Sequence, residues 1–277
     1  MNEPYTETII EPANRLSFNF KELWSYRELF YFFTWRDIKV KYKQTVLGVF
    51  WVMLQPLFMM LIFTFFFGQR LGVKTEGIPY PVFAFSGLIL WNFFSSSVTN
   101  AGNSMVLNAP IIKKIYFPRL IIPLSSVLAS LVDLVVALML FILFLFFYPV
   151  TINALELVIF WPLAFALSLV GAVGLGCWLA ALMIKYRDFR FVVSFVMQVA
   201  FFLTPIVYPV SRGSLSVLEY ILALNPMYAA ITLFRIPMTT DVVDPILIAI
   251  SICSSFLSLL LGLNYFRKTE LFFADLA

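Results

Sequence analysis

Asn92, Ser96, Thr99 and Asn103 stand at i, i+4, i+7 and i+11, which puts four neutral hydrogen-bonding side chains on one face of a helix. A stripe of this kind either bonds across to neighbouring helices or lines a hydrated pathway. Amides and hydroxyls without charge suit a polar, neutral substrate such as a glycan better than a small ion. Aromatic rings supply a second chemistry, because their faces stack on the C–H faces of sugars and Tyr or Trp adds a hydrogen bond. The chain holds 32 Phe, 12 Tyr and 6 Trp, and Trp51, Tyr80, Trp91, Tyr208 and Tyr228 lie near the ends of apolar runs, where Trp and Tyr are also ordinary interfacial residues.

Other chemistry is excluded or thinly supported. The absence of histidine removes Ser-His and Cys-His nucleophile pairs and histidine metal sites. No glycine precedes a lysine, so the G-x-x-x-x-G-K-[S/T] phosphate loop is missing; any ATP use is expected from a partner. Cys177 and Cys253 both sit in apolar runs and form no disulfide framework. Asp133 is the only deep acid, without an evident basic partner in the sequence, and reads either as an ion-coupling group or as a residue hydrogen-bonded within the bundle; Glu156 lies near the end of a run.

Two basic segments remain. Arg36, Lys39, Lys41 and Lys43, with Asp37 among them, either attract a lipid diphosphate or simply mark the cytoplasmic side. Residues 103–119 mix apolar and basic residues around Pro110 and Pro118, which suits a short helix that docks into a partner groove or a basic loop on the membrane surface.

The elements that position these groups follow from composition. With 62% hydrophobic and 12% charged residues, the chain cannot cover a soluble surface, for which about 25% charged residues are usual. Apolar runs at about 46–67, 81–101, 120–147, 156–184, 191–208 and 244–266 predict six helical spans. Fifteen Lys and Arg residues fall in the tails and the second and fourth loops, against four (Arg70, Lys74, Arg212, Arg235) in the other loops. This asymmetry places both termini in the cytoplasm. It also accounts for the net charge of +4 without nucleic-acid binding. Residues 1–15 lack a signal-peptide pattern, so the first span is expected to direct its own insertion.

Residues 18–34 predict an interfacial helix, with Phe20, Leu23, Trp24, Tyr26, Phe30, Tyr31 and Phe33 on one arc. Leu215–Leu224 and Met227–Ile236, split by Asn225-Pro226, are each too short to span and predict a re-entrant or surface-lying hairpin.

Arg36-Asp-Ile-Lys-Val-Lys-Tyr-Lys-Gln-Thr-Val-Leu-Gly48, followed by Trp51 and Leu54-Gln-Pro56, resembles the entry to the first span in type-2 ABC exporter permeases for bacterial surface polysaccharides. Asn108 to Arg119, Lys185-Tyr-Arg-Asp-Phe-Arg190, Leu224-Asn-Pro-Met227 and Phe266-Arg-Lys-Thr-Glu270 are similar to that family's later signatures, in order. O-antigen exporter permeases are the nearest members; capsule and teichoic-acid exporters diverge more around the first motif.

The resemblance implies an all-α, six-span permease in the bacterial inner membrane that works as a homodimer. It implies two ATP-binding-cassette ATPase subunits that supply ATP and Mg, and an undecaprenyl-diphosphate-linked polysaccharide as cargo. Within the chain it implies a cytoplasmic tail over 1–45, a permease domain over 46–266 and a cytoplasmic tail over 267–277. Residues 103–119 become the coupling loop, with Asn108, Pro110, Lys113, Lys114, Tyr116 and Arg119 as the residues that meet the ATPase. Residues 211–236 become extracytoplasmic gate helices. A small-lipid or drug exporter and a membrane-embedded glycan-modifying enzyme stand as alternatives.

Overall fold

The computed structural model describes residues 20–43, 48–75, 77–186, 188–210, 217–239, 244–270 and 273, and among these it is entirely helices and connecting turns. The start of the expected interfacial helix (18–19), of the first span (46–47) and of the expected gate segment (211–216) lie outside the described residues, as do Arg15, Arg187 and Arg212.

The described residues begin with two helices, α1 (Phe20–Ser25) and α2 (Arg27–Lys43). The expected helix therefore reaches nine residues beyond 34 and takes in the whole basic run. Its predicted apolar arc divides: Phe33 is buried and Leu23, Tyr26 and Phe30 pack beside it, whereas Trp24 and Tyr31 are exposed on another face with Phe32 and Trp35. Aromatic residues on both faces hide this division from a helical wheel, since hydropathy does not say which face meets protein and which meets lipid headgroups.

Among the described residues, five helices are long and apolar enough to cross a bilayer. The first is α3 (Gly48–Phe63), bearing Pro56 and continued as π-helical turns over Thr64–Arg70. The others are α4 (Tyr80–Leu107), α6 (Ile121–Leu145), α7 (Ala154–Lys185) and α11 (Pro245–Glu270), with the single-turn α5 (Ala109–Ile112) between α4 and α6. Asn153 caps α7, accepting from the amides of Leu155 and Glu156, and Glu156 in turn accepts from the Asn153 amide at 2.9 Å. That end-capping role accounts for Glu156.

The predicted fifth span, 191–208, departs from a regular helix. Helix α8 (Phe189–Phe202) has 14 residues, about 21 Å at 1.5 Å per residue and short of a ~30 Å apolar core. The chain then unwinds, yet Thr204, Pro205, Ile206 and Val207 are buried. Contacts fix its course: Met183, near the end of α7, lies against Gly102 of α4, whereas Tyr80, at the other end of α4, donates a 2.7 Å hydrogen bond to the Val207 carbonyl. Helix and unwound segment together thus run the length of α4 and supply the sixth crossing.

Helices α9 (Val217–Ala223) and α10 (Pro226–Arg235, ending in a 3-10 turn over Ile236–Met238) meet at a 91° bend. Pro226 rests on Gly171, halfway along α7, while Pro237 accepts a hydrogen bond from the Asn153 amide at the start of α7. Because α10 climbs from mid-depth back to the end where α11 begins, the pair is a re-entrant hairpin. Serines of α11 satisfy its tip: Ser251 donates to Asn225 O at 2.7 Å and accepts from the Ala229 amide, and Ser254 and Ser255 donate to Leu224 O and Pro226 O. Irregular backbone at membrane depth requires such partners.

At the opposite end, Phe33 packs on Phe117 with ring centroids 5.7 Å apart, and Arg119 bonds Glu270. The N-terminal helix, the 108–119 loop and the end of α11 therefore share one end of the bundle, here the basic end; the hairpin occupies the far end.

Candidate functional site

Helix α4 is the hub of the bundle, touching α3, α6, α7, α8 and α10. Most of its side chains are buried, and the half-exposed ones include Asn92, Ser96, Thr99 and Asn103. Among the described residues the stripe bonds to no other helix: Ser96 donates to Phe93 O and Asn103 to Thr99 O, both on α4 itself. Asn100 beside it reaches Ser130 of α6 at 3.4 Å. Above the stripe, toward the far end, Phe63 of α3 stacks on Phe201 of α8 at 5.7 Å, and Phe201 meets Trp91 edge-on at 5.9 Å. Helix α3 buries Pro56, Met60 and Phe63 but leaves Phe50 and Trp51 exposed toward the basic end. The result is a neutral polar face, open on the basic side and roofed by an aromatic cluster.

Burial removes three of the five aromatic candidates. Tyr80, Trp91 and Tyr228 fill the core, and the Tyr80 hydroxyl is committed to Val207. Trp51 stays exposed and Tyr208 half-exposed, with its hydroxyl on Phe202 O at 2.9 Å.

The basic run is tied into the fold. Arg36 donates to Asn108 Oδ1 at 2.8 Å and to Asp37 Oδ1 at 2.7 Å, and Asp37 Oδ2 accepts from Ser126 of α6 at 3.0 Å. Lys41 and Tyr42 both engage the Asp133 carboxylate. Burial, and then this hydrogen bond to an anion, push the Tyr42 hydroxyl above its ordinary value near 10, so it remains a neutral donor throughout the physiological range. Asp133 is therefore not the unpartnered acid that the sequence presents; its partners lie more than 90 residues away. Lys39 and Lys43 point outward and are exposed.

This pairing carries a stability prediction. Asp133→Asn leaves the Lys41 ammonium without its anion, and for a half-buried pair the loss is expected to be about 1–3 kcal/mol. Thermal unfolding of the detergent-purified protein should show a lower midpoint, and the double replacement Lys41→Met with Asp133→Leu should recover most of it. Equal stability of Asp133→Asn and the parent would show that the pair contributes nothing.

The 108–119 loop has a fixed half and a presented half. Asn108, Ile112 and Phe117 are buried, and Arg119 is bound to Glu270. Pro110, Lys113, Lys114, Ile115 and Tyr116 are exposed, as is the neighbouring Leu107, giving an apolar and cationic surface at the basic end.

Sequence reasoning missed three groups. The α11 serines sit at i, i+3 and i+4 in an apolar helix, a spacing that signals bonding across a helix interface. Gly174 and Gly262 bring α7 and α11 into backbone contact. Arg235, counted above among loop charges, is in fact buried and bonded to Ser86 and to three main-chain carbonyls; its position at the end of an apolar run, on the side poor in basic residues, was the available signal. An open groove of about 570 Å³ between the hairpin tip and α11, lined by Leu224, Ile246, Ile250 and Leu257, is almost wholly apolar and offers nothing to a glycan.

Comparison with known proteins gives a consistent pattern. The profile of the ABC-2 type transporter family matches residues 28–239. The O-antigen export system permease protein RfbA of Klebsiella pneumoniae is 30% identical over 245 residues, covering 87% of this chain and 92% of that protein. RfbA of Myxococcus xanthus is 31% identical over 217 residues, 78% of this chain and 82% of its own. The polysialic acid transport protein KpsM of Escherichia coli is 24% identical over 208 residues, 72% and 77% of the two chains.

Proposed function

The chain belongs to the ABC-2 type transporter family, and from that premise we propose that it is the permease subunit of a bacterial surface-polysaccharide exporter of the O-antigen type. The observation that carries this reading is the uncharged polar face of α4. A neutral polymer needs hydrogen-bonding groups that hold it weakly and repeatedly along a path, without a charge that would trap it.

A second copy of the chain completes the pathway, because a half-exposed amide and hydroxyl face cannot rest against lipid. Two separate ATPase subunits dock on the presented half of the loop, with Pro110 and Tyr116 as apolar anchors and Lys113 and Lys114 supplying charge. Asn108 and Arg119 hold that loop to α2 and α11. In this reading Arg36 belongs with the coupling machinery through Asn108, and Lys39 and Lys43 remain as the cations that can meet an undecaprenyl-diphosphate headgroup. The basic end faces the cytoplasm by the positive-inside rule, which makes the re-entrant hairpin an extracytoplasmic gate. Trp51 and Tyr208 are the aromatic residues still placed to stack on sugar.

Removing the gene from its host is the test of the substrate class. Lipid-linked polysaccharide is expected to accumulate on the cytoplasmic leaflet while the surface loses it. A deletion strain with normal surface glycan and no accumulation would favour export of a small lipid or drug instead. Relatedness to KpsM favours capsular polysaccharide as the second reading, which the chemical identity of the accumulated glycan distinguishes.

A further inference from the structure

We propose that Arg235 is the positioning residue for the far end of the export path: it binds the re-entrant hairpin, the first turns of α4 and the unwound end of the fifth crossing into one collar, from which α8 swings about Leu203 and Thr204. The inference rests on the permease reading and adds to it the residue that sets the exit and the point about which the path opens.

The last carbonyls of α8 are met locally, by the Leu203 and Thr204 amides and the Thr204 and Tyr208 hydroxyls, but the unwound segment beyond them carries carbonyls that at membrane depth each need a donor. Arg235 supplies those of Pro205 and Ile206. Its Nη1 donates to Pro205 O at 2.7 Å, its Nη2 to Ile206 O and Phe83 O at 2.8 Å each, and its Nε to Ser86 Oγ at 3.1 Å. The guanidinium lies 3.6 Å from the Phe83 ring centroid and is 7% exposed. Four bonds radiating to two different elements require a planar fork of donors, which arginine has and lysine lacks. Gly87 makes the room, since a Cβ there would stand 2.6 Å from Nη2. Two further bonds fasten the same segment: Tyr80 to Val207 O at 2.7 Å, and Asn225 Nδ2, at the hairpin tip, to Thr204 Oγ1 at 2.6 Å.

Below this collar α8 is loosely held. Only Val193 and Met197 are buried, and Phe191, Phe195 and Phe202 are exposed. Its aromatic link to the roof over the polar stripe is Phe201. A tightly bonded segment adjoining a sparsely packed helix is where a hinge is expected. Swinging α8 away separates Phe201 from Phe63 and Trp91 and unroofs the stripe, while the collar keeps the exit aligned.

The test uses the full chain with its ATPase in sealed proteoliposomes, with Ser96→Cys as the reporter in a Cys177→Ala, Cys253→Ser background, and an impermeant maleimide added from either side. Without ATP the parent should label from the basic side and slowly from the far side. Arg235→Lys should raise far-side labelling about tenfold, the size of a ~1.4 kcal/mol loosening, and lower the polysaccharide exported per ATP. If Arg235→Lys does not insert stably, Gly87→Ala delivers the same displacement through its added methyl. Far-side labelling and export per ATP equal to the parent in a folded variant would overturn the proposal. Absence of ATP-driven export by the chain carrying none of these substitutions would instead overturn the permease reading.

Discussion

Replacing Gly262 with leucine is expected to abolish accumulation of the folded protein. A Cβ at position 262 would stand 2.0 Å from the Gly174 carbonyl oxygen and 2.8 Å from its carbon, and a Cβ at 174 would stand 2.5 Å from the Leu259 amide nitrogen. Contacts between heavy atoms are comfortable at about 3.5–4.0 Å, and both neighbours are backbone, which cannot rotate out of the way. Helices α7 and α11 would have to part along their crossing, and in lipid that crossing is held by close packing with no hydrophobic drive to restore it. Overpacking ordinarily costs about 1–3 kcal/mol, and a backbone collision lies at the top of that range or above. Part of the loss should appear already with Gly262→Ala, whereas Leu261→Met, at an exposed neighbour, should behave as the parent. Size-exclusion profiles of detergent extracts read the difference, and a monodisperse Gly262→Leu protein at parental yield would contradict the crossing.

The second large effect concerns transport. Ser96→Leu with Thr99→Leu is expected to reduce export to a few per cent of the parent, roughly the loss of ~2 kcal/mol along the path, with membrane levels maintained. Both positions are half-exposed and neither side chain bonds another helix, so leucine meets no buried partner and removes only the hydrogen bonds offered to a passing glycan. Radiolabelled glycan at the cell surface, normalised to permease in the membrane, measures it. Export at parental rates would show that the polar face of α4 is not the path.

Much of this fold is readable from hydropathy and charge because each long span is bounded by polar or basic residues. What escaped has physical causes. The fifth crossing stays apolar through Ile206 and Val207, so hydropathy does not register that the helix stops at Phe202; an arginine in another segment bonds the carbonyls of Pro205 and Ile206 in the unwound stretch that follows. Asp133 looks alone because Lys41 and Tyr42 reach it from a helix that the sequence shows only as a basic tail. Tyr80, Trp91 and Tyr228 have the composition of a sugar-stacking set, yet composition does not separate a ring that faces a pathway from one that fills a core. The stripe on α4 was legible because its period matches a helix and it runs through the most polar of the apolar runs. Its open side was not, since that depends on α3 leaving the bundle before Pro56.

The most direct measurement is photocrosslinking during stalled export. A photoreactive amino acid is placed at Asn92, Ser96, Thr99 or Asn103, and for comparison at Leu257 or Leu260, which are exposed on α11. The permease, its ATPase and lipid-linked polysaccharide are then trapped in turnover with a slowly hydrolysed ATP analogue. Glycan adducts at the four α4 positions, dependent on the ATPase and absent at the α11 positions, are the expected result. Adducts confined to α11, or equal at every site, would contradict a pathway along the neutral face of α4.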